Sequence, residues 1–188
     1  MTLARHGRLI GALLFLVILL VVGEVSGLRQ HLTLMYLKQT LQAHLLSGLA
    51  IFVLLFVLGN LLHIPGLVFL GAAVLALGQV WGGVATYLGA VAACVVTFLA
   101  ARLVGGDALR QLKSALALRI FRHLDARPVL SIVALRVVFQ TLPAVNYALG
   151  LSGVGFRRYL TGTLVGLPIP IAVYCVFFDY LVGALHLV

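Results

Sequence analysis

The chain has 188 residues, of which 63% are hydrophobic and only 9% are charged, and its formal net charge is +9. A soluble domain carries about a quarter charged residues to cover its surface, so this composition excludes a soluble globular protein. It predicts an all-α integral membrane protein whose outer surface contacts lipid. The basic residues lie in gaps between apolar runs, as in loops that face headgroups. We therefore expect no nucleic-acid binding.

Residues 1–44 predict an N-terminal anchor helix followed by an amphipathic segment. A helix over 9–28 is long enough to cross about 30 Å of hydrocarbon. The length of this run and its poor small-residue cleavage site favour an uncleaved anchor over a cleaved signal peptide. Polar and apolar residues alternate at helical spacing over 29–44, which predicts a short helix at the membrane interface.

Residues 45–188 predict one membrane domain. The first part has no formal charge up to residue 101, and its only titratable side chain of note is His63. We predict spans over 45–62 and 82–101, separated where Pro65 and Gly66 break the helix. The stretch 64–80 is too short for a span and predicts a first re-entrant hairpin.

The second part of this domain begins with a polar interlude rich in Arg. It predicts a basic amphipathic helix at about 107–124 on the cytoplasmic face. An apolar but broken stretch, 128–153, predicts a second hairpin, and a last span runs from Tyr159 to about Val182. Pro168 and Pro170 are expected to bend the first half of that span.

Arg136 is the most informative residue, because it lies in an apolar run and an intramembrane Arg costs several kcal/mol unless it faces a partner or water. It marks either a transport site or a structural ion pair. Asp179 is its candidate counterion, unless Asp179 lies at a wet helix end. Glu24 and His63 are further candidates for proton or ion-pair chemistry, with an interfacial residue and a polar hinge as the respective alternatives.

No spacing in the sequence fits a metal site, a phosphate loop or a hydrolytic nucleophile. Cys94 and Cys175 lie in apolar runs and are interpreted as small core residues. We expect no enzyme activity, no cofactor and no metal. Two Pro/Gly-broken apolar segments, one in each half, are typical of transporters that build a site at the midplane.

Two sets of motifs resemble one family. The first half carries Ile64-Pro65-Gly66, Gly71, Gly78, Trp81-Gly82, Gly89, Phe98 to Arg102 and Gly105; the second carries Leu135-Arg136, Pro143, Asn146 to Gly150, Phe156 to Tyr159, Gly162-Thr163, Gly166 and Pro168. Over roughly residues 60 to 180 these motifs resemble the DedA superfamily, also called the VTT domain or SNARE-associated Golgi protein family. The match is nearest the subgroup with the Asn-Tyr-Ala-Leu-Gly signature.

The resemblance implies two re-entrant hairpins that enter from opposite faces as an inverted repeat. It implies a functional role for Arg136 and places Pro65, Gly66, Pro143 and Asn146 at the hairpins. Members of the bacterial branch often carry acidic residues at the first hairpin and a second Arg after the Pro. This chain lacks both, which favours passive phospholipid movement over proton coupling.

The leading hypothesis is therefore a scramblase or flippase that moves phospholipid or a polyprenyl-phosphate lipid between leaflets, in a bacterial inner (plasma) membrane. Its expected partners are membrane lipids, with proton coupling and homo-oligomerisation left open. The alternative is a proton- or ion-coupled transporter of a small solute that uses Asp179, Glu24 or His63. A third hypothesis is a scaffold that binds partners through the basic helix.

Overall fold

The computed structural model describes residues 45–111 and 115–184, together with isolated positions among the first 44. The anchor and interfacial helices predicted over 1–44 therefore lie largely outside the described residues, as do Glu24 and the side chain of Asp179. Every regular element among the described residues is a helix. This agrees with the predicted all-α class.

The first half of the domain contains two helices and two chain reversals. Helix α1, Leu45–Leu61, matches the predicted span 45–62, and helix α2 follows as Gly66–Gly105. Between them the chain turns at 62–65, because Pro65 has no N–H to continue a helix. We call these four residues the first tip.

Helix α2 is not straight, because Gly78 has φ 77 and ψ 177, a conformation that a residue with a Cβ adopts only with strain. A Cβ added to Gly82 would lie 2.7 Å from the Ala73 carbonyl oxygen, so the chain doubles back at Gly78. We call 66–77 the first arm of α2 and 79–105 the second arm.

These reversals correct the predicted first hairpin at 64–80. That segment holds a single helix, the first arm, and not two legs of its own. Its partners on either side are α1 and the second arm. The sequence predicted the break at Pro65 but not the reversal at Gly78, which is one of several glycines in that stretch.

The described part of the second half contains one 3₁₀ helix and five more α-helices. A short 3₁₀ helix at Ala108–Gln111 precedes α3, Ala115–Ala126; the others are α4 (Pro128–Phe139), α5 (Pro143–Leu151), α6 (Phe156–Gly166) and α7 (Pro168–Ala184). The basic helix therefore starts later than predicted, since 3₁₀ geometry replaces α geometry just after Asp107. The reversal at 140–142, here called the second tip, lies inside the predicted second hairpin, and the last span is interrupted before Pro168, where the prolines predict a bend.

Contacts across the first half give the direction of its helices. Phe56 packs against Gly89 and Asn60 bonds to Thr97, so α1 and the second arm run parallel. The first arm runs against the second arm, because it lies between two reversals. The first half is thus two parallel helices with one antiparallel helix between them in the chain.

The second half repeats this arrangement in the opposite direction. Gly162 packs against Ile132 and Gly166 against Arg136, so α4 and α6 run parallel. Both run against the second arm of α2, because Tyr159 bonds to Cys94 whereas Tyr87 bonds to Leu164. Helix α5 runs with the second arm: its Gly150 packs on Ala101, and the following Val154 carbonyl accepts from Arg102.

The outer surface of the described helices is apolar. Large side chains such as Val80, Trp81, Leu103, Val138 and Tyr180 are each about 70% exposed or more. Two stretches, Gly66–Gly105 and Phe156–Phe178, are long and apolar enough to cross a membrane. Exposure of this much hydrophobic surface is stable in lipid and not in water.

Candidate functional site

Arg136 is the largest fully buried side chain of the described residues, at 0% exposed. It lies in the last turn of α4, one turn before the second tip. Gly166 of α6 faces its stem, and a Cβ at Gly166 would lie 2.7 Å from the Arg136 Cβ. The missing side chain leaves room for Arg136 to extend along α6, where Tyr159 and Thr163 lie one turn apart on the same face.

The guanidinium of Arg136 donates three hydrogen bonds to neutral groups. Nη2 donates to the Tyr159 hydroxyl at 2.9 Å, Nε to Thr163 Oγ1 at 3.3 Å, and Nη1 to the Gln140 carbonyl at 2.9 Å. The described residues thus hold this cation with dipoles. The carboxylate of its predicted counterion, Asp179, lies outside the described side chains.

Tyr159 connects Arg136 to the rest of the site. Its hydroxyl donates to the Cys94 carbonyl at 2.8 Å and also lies 3.4 Å from Asn146 Oδ1. Its ring stacks on Phe98, with ring centroids 4.0 Å apart. Because the ring is fixed between helices and 0% exposed, its hydroxyl holds the guanidinium at a defined position.

The polar chain continues from Asn146 to the first half of the protein. Asn146 Nδ2 donates to Asn60 Oδ1 at 3.2 Å, and Thr97 Oγ1 donates to the same oxygen at 3.1 Å. Asn60 Nδ2 donates to the Thr141 carbonyl at 2.7 Å. A single layer of buried hydrogen bonds therefore runs from Arg136 to Thr97, and we call it the polar layer.

The two tips meet at this layer. Besides the Asn60–Thr141 bond, Tyr147 donates to the Leu61 carbonyl at 3.0 Å. Gly66 also faces Thr141, and a Cβ at Gly66 would overlap the Thr141 hydroxyl. Asn60 lies just before the first tip and Thr141 within the second, so the hairpins touch end to end.

Gln140 contributes the least satisfied group of the site. Its φ is 48, a left-handed conformation that is strained for a residue with a side chain. Its carbonyl accepts from Arg136, but its buried Nε2 has no hydrogen-bond partner among the described residues. The backbone of Gln140 thus contacts the guanidinium, and its side chain supplies a buried donor that an anion could satisfy.

The predicted site residues divide into two groups. Arg136 and Asn146 both lie in the polar layer, joined through Tyr159, and the buried Pro143 begins the helix that carries Asn146. His63, with φ 62, is half-buried and stacks on Tyr147 at 5.3 Å outside the layer. Pro65 is exposed at the first tip, with Gly66 beside it.

Sequence reasoning missed Asn60 and Gln140 as members of the site. Each carried a signal, since an amide inside an apolar run is unusual for the same reason that Arg136 is. Tyr159 and Thr163 belonged to the family-like motif but were not given a role. Their part depends on α6 lying beside α4, which spacing along the chain does not reveal.

Comparison with known proteins identifies the domain. The VTT domain model matches residues 64–180, which is more than half of the chain and includes the second tip and every residue of the polar layer except Asn60. The chain belongs to the VTT domain family. No curated protein and no solved structure matches it. VTT domain proteins, the DedA/SNARE-associated family, are transporter-like membrane proteins, in agreement with the apolar outer surface.

In this VTT domain protein the end where α4 and α6 begin is strongly basic. Arg102 donates to the Val154 carbonyl at 2.7 Å, and Arg110 pairs with Asp125 through two hydrogen bonds of 3.0 and 2.5 Å. The Arg110 hydrogen bond holds the pKa of the exposed Asp125 carboxyl below its ordinary value, while that bond raises the pKa of Arg110. Among the side chains that the structure describes, the further exposed Arg residues at this end are Arg122, Arg127, Arg157 and Arg158.

Proposed function

We propose that this protein moves phospholipid or a polyprenyl-phosphate lipid between the two leaflets of a membrane. The observation that carries the proposal is the fully buried Arg136, one turn before the second tip, together with the buried amide of Gln140 in that tip, which has no partner among the described residues. A lipid phosphate is an anion that both donors would bind. It is not an enzyme in this proposal, because the lipid is moved and no bond is changed.

The two halves form an inverted repeat of re-entrant hairpins in this proposal. Their helices run in opposite directions, and the arms of the second hairpin are short. Helix α4 has 12 residues and is therefore about 18 Å long, little more than half of a hydrocarbon core of about 30 Å. The tips would thus end inside the bilayer, where unpaired backbone is tolerated only when protein buries it.

The chemistry of the polar layer suits a phosphodiester or phosphomonoester. The planar guanidinium of Arg136 can bind two phosphate oxygens at once, and the amides of Gln140 and Asn146 add neutral donors. A headgroup would cross on these donors while its acyl chains stay in lipid. The basic end faces the cytoplasm in this proposal, following the positive-inside rule, in a bacterial inner membrane.

The tips must part before a headgroup can reach Arg136, because that side chain is 0% exposed. Two hydrogen bonds from side chains to tip carbonyls, Asn60 to Thr141 and Tyr147 to Leu61, resist the opening, as does the Asn146–Asn60 bond. Each is worth about 1 kcal/mol net. Their loss is small enough for thermal fluctuations to open the layer.

The test is a scrambling assay with purified protein in liposomes. Labelled phospholipids are followed by their accessibility to an impermeant quencher, with wild type, Arg136→Ala and Gln140→Met compared. Gln140→Met keeps the shape of the side chain and removes its amide, so it tests the donor without emptying the site. Arg157→Ala, at an exposed position outside the layer, is the matched control for Arg136→Ala.

We expect fast inner-leaflet quenching in wild type and in Arg157→Ala, none above empty liposomes in Arg136→Ala, and a slower rate in Gln140→Met. Equal rates in all four proteins would remove Arg136 and Gln140 from the path. No activity in folded wild-type protein would contradict phospholipid transport. It would favour either a polyprenyl-phosphate lipid, which the labelled phospholipids do not mimic, or the second candidate, a coupled solute transporter that fails in Asp179→Asn and responds to a pH gradient.

A further inference from the structure

The arms of the second hairpin are splayed and make few contacts with each other. An open cavity of about 650 Å³ lies between them, with α3 forming its floor. Its lining includes Phe121 and Leu124 from α3, Ala134 and Val138 from α4, and Ala148 from α5. We call this cavity the slot.

The slot runs along both arms, from the basic end to the second tip. Ser131 of α4 and Ser152 at the end of α5 line it at the basic end, whereas Phe139 and Val145 line it beside the tip. Apart from those hydroxyls and His123, its lining residues are apolar. In a bilayer an apolar cavity open at its side is filled by hydrocarbon rather than by water.

The length of the slot corresponds to one acyl chain. Since α4 is about 18 Å long and one leaflet accounts for about half of a 30 Å hydrocarbon core, a chain lying along α4 would reach from the headgroup level to the tip. It would end beside the polar layer. A lipid seated there has its headgroup at the basic end of the protein.

The residues around the opening of the slot at the basic end, here called the rim, select the charge of the lipid headgroup. Arg122 and Arg127 are exposed next to residues that line the basic end of the slot. Of the two acidic residues described at this end, Asp125 is bonded to Arg110, and the charge of Asp107 acts on Arg102 and Arg110. The exposed charge is therefore positive, and such sites attract anionic lipids from the adjoining leaflet.

We infer that the slot between α4, α5 and α3 binds one acyl chain of an anionic phospholipid drawn from the leaflet at the basic end. This site deepens the proposed function and rests on it, because it names where a lipid waits before its headgroup crosses the polar layer. The chain lies along the second hairpin, so parting of the tips would leave the headgroup facing Arg136.

The experiment uses the full chain in vesicles of phosphatidylcholine and phosphatidylglycerol that contain a phosphatidylglycerol with a photoactivatable group near the end of one acyl chain. After irradiation, labelled positions are located by peptide mass spectrometry. Two variants fill the slot, Ala134→Phe and Ala148→Phe. Both positions are exposed, so the larger ring displaces lipid and not the protein core. Ala144→Phe, at an exposed position of α5 outside the slot lining, is the control.

We expect label on the slot-facing residues of α4 and α5 in wild type and Ala144→Phe, and loss of that label in both slot-filling variants. Label spread evenly over all lipid-facing helices, or absent from the slot, would overturn the inference. Absence of label from the slot is the result expected if a second copy of the chain or the N-terminal segment occupies the slot. Arg136→Ala separates the two proposals, because it should lose scrambling and keep the slot label.

Discussion

The two hairpins of this protein are built on the same plan but packed differently. In the first, three fully buried rings, Phe52, Phe56 and Phe69, fill the space beside the tip. The Phe56 and Phe69 rings stack with centroids 4.5 Å apart. In the second, α4 packs on α6 and α5 packs on the second arm of α2, so that the two arms diverge around the slot.

The difference indicates that the two hairpins have different roles, one fixed and one able to move. A hairpin filled with aromatic rings has one packed arrangement, because moving an arm opens voids that lose dispersion contacts. The arms of the second hairpin pack on separate helices and hardly on each other, so one arm can move without opening an interior between the two. The first hairpin is therefore the fixed side of the polar layer, and the second carries Arg136, Gln140 and the slot.

The largest expected effect is a difference between the hairpins in the free energy of unfolding that is lost when a Phe is removed. Phe69→Ala should destabilise the protein by about 3 to 5 kcal/mol, because it leaves a cavity beneath fixed neighbours. Phe139→Ala, in the second hairpin, should cost about 1 kcal/mol or less, since Phe139 is 46% exposed. Thermal unfolding in detergent gives both values. Equal losses would show that the hairpins are equally rigid.

The next effect sharpens the role of the second hairpin. Arg136→Lys keeps the charge but loses the planar fork that bonds Tyr159 and Thr163 together. Lipid scrambling should fall about tenfold or more, which corresponds to about 1.4 kcal/mol of lost binding to phosphate. Circular dichroism and thermal unfolding of the same preparation control for folding. Full activity in the Lys variant would reduce the role of Arg136 to charge alone.

A smaller expected effect tests whether hydrogen bonds between the two hairpins oppose the separation of their tips. Tyr147→Phe removes the 3.0 Å hydrogen bond to the Leu61 carbonyl without touching the polar layer around Arg136. Loss of about 1 kcal/mol from the closed arrangement should speed scrambling by about fivefold. The rate is measured at equal protein density in the vesicles. A slower rate would mean that the hydroxyl assists passage, contrary to this account.

The smallest expected effect is on the pH dependence of stability and concerns Asp125, at the basic end of the protein. The lowered pKa of Asp125 means that its pairing with Arg110 stabilises the fold above the ordinary carboxyl pKa of 3.8. That contribution is lost as the pH falls through the lower folded-state value. Since both groups are largely exposed, the gain is below about 1 kcal/mol. Unfolding of Asp125→Asn compared with wild type from pH 7 to pH 3 should show less pH dependence in the variant; identical profiles would contradict the pairing.

Much of this arrangement could be predicted from local sequence. Pro65 predicted the end of the span 45–62, and the broken stretch 128–153 around Pro143 predicted the second hairpin, because a residue without an N–H ends a helix wherever it lies. Pro65 was expected at the start of the first hairpin, whereas the structure places it at the first tip. Arg136 could be singled out because a charge in an apolar run is costly in lipid. The direction of each helix could not be predicted, since the reversal at Gly78 is one break among several glycines with similar surroundings.

The partners of Arg136 and the slot were beyond sequence reasoning for a different reason. Tyr159 and Thr163 reach Arg136 only because Gly166 lets α6 approach α4, and that approach depends on the whole packing. The slot arises from the divergence of α4 and α5, a property of their neighbours and not of their own residues. Its lining residues have the same apolar character as those that face lipid.

The most direct test of the central claim, that the tips must part for lipid to cross, is a disulfide between them. A Cβ at Gly66 would lie 3.6 Å from the Thr141 Cβ, within the range of about 3.5 to 4.5 Å that a disulfide requires. Gly66→Cys and Thr141→Cys are combined with Cys94→Ala and Cys175→Ala, and scrambling is measured before and after reduction. The account predicts that the oxidised protein is inactive and that reduction restores transport. Full scrambling with the disulfide intact would contradict it.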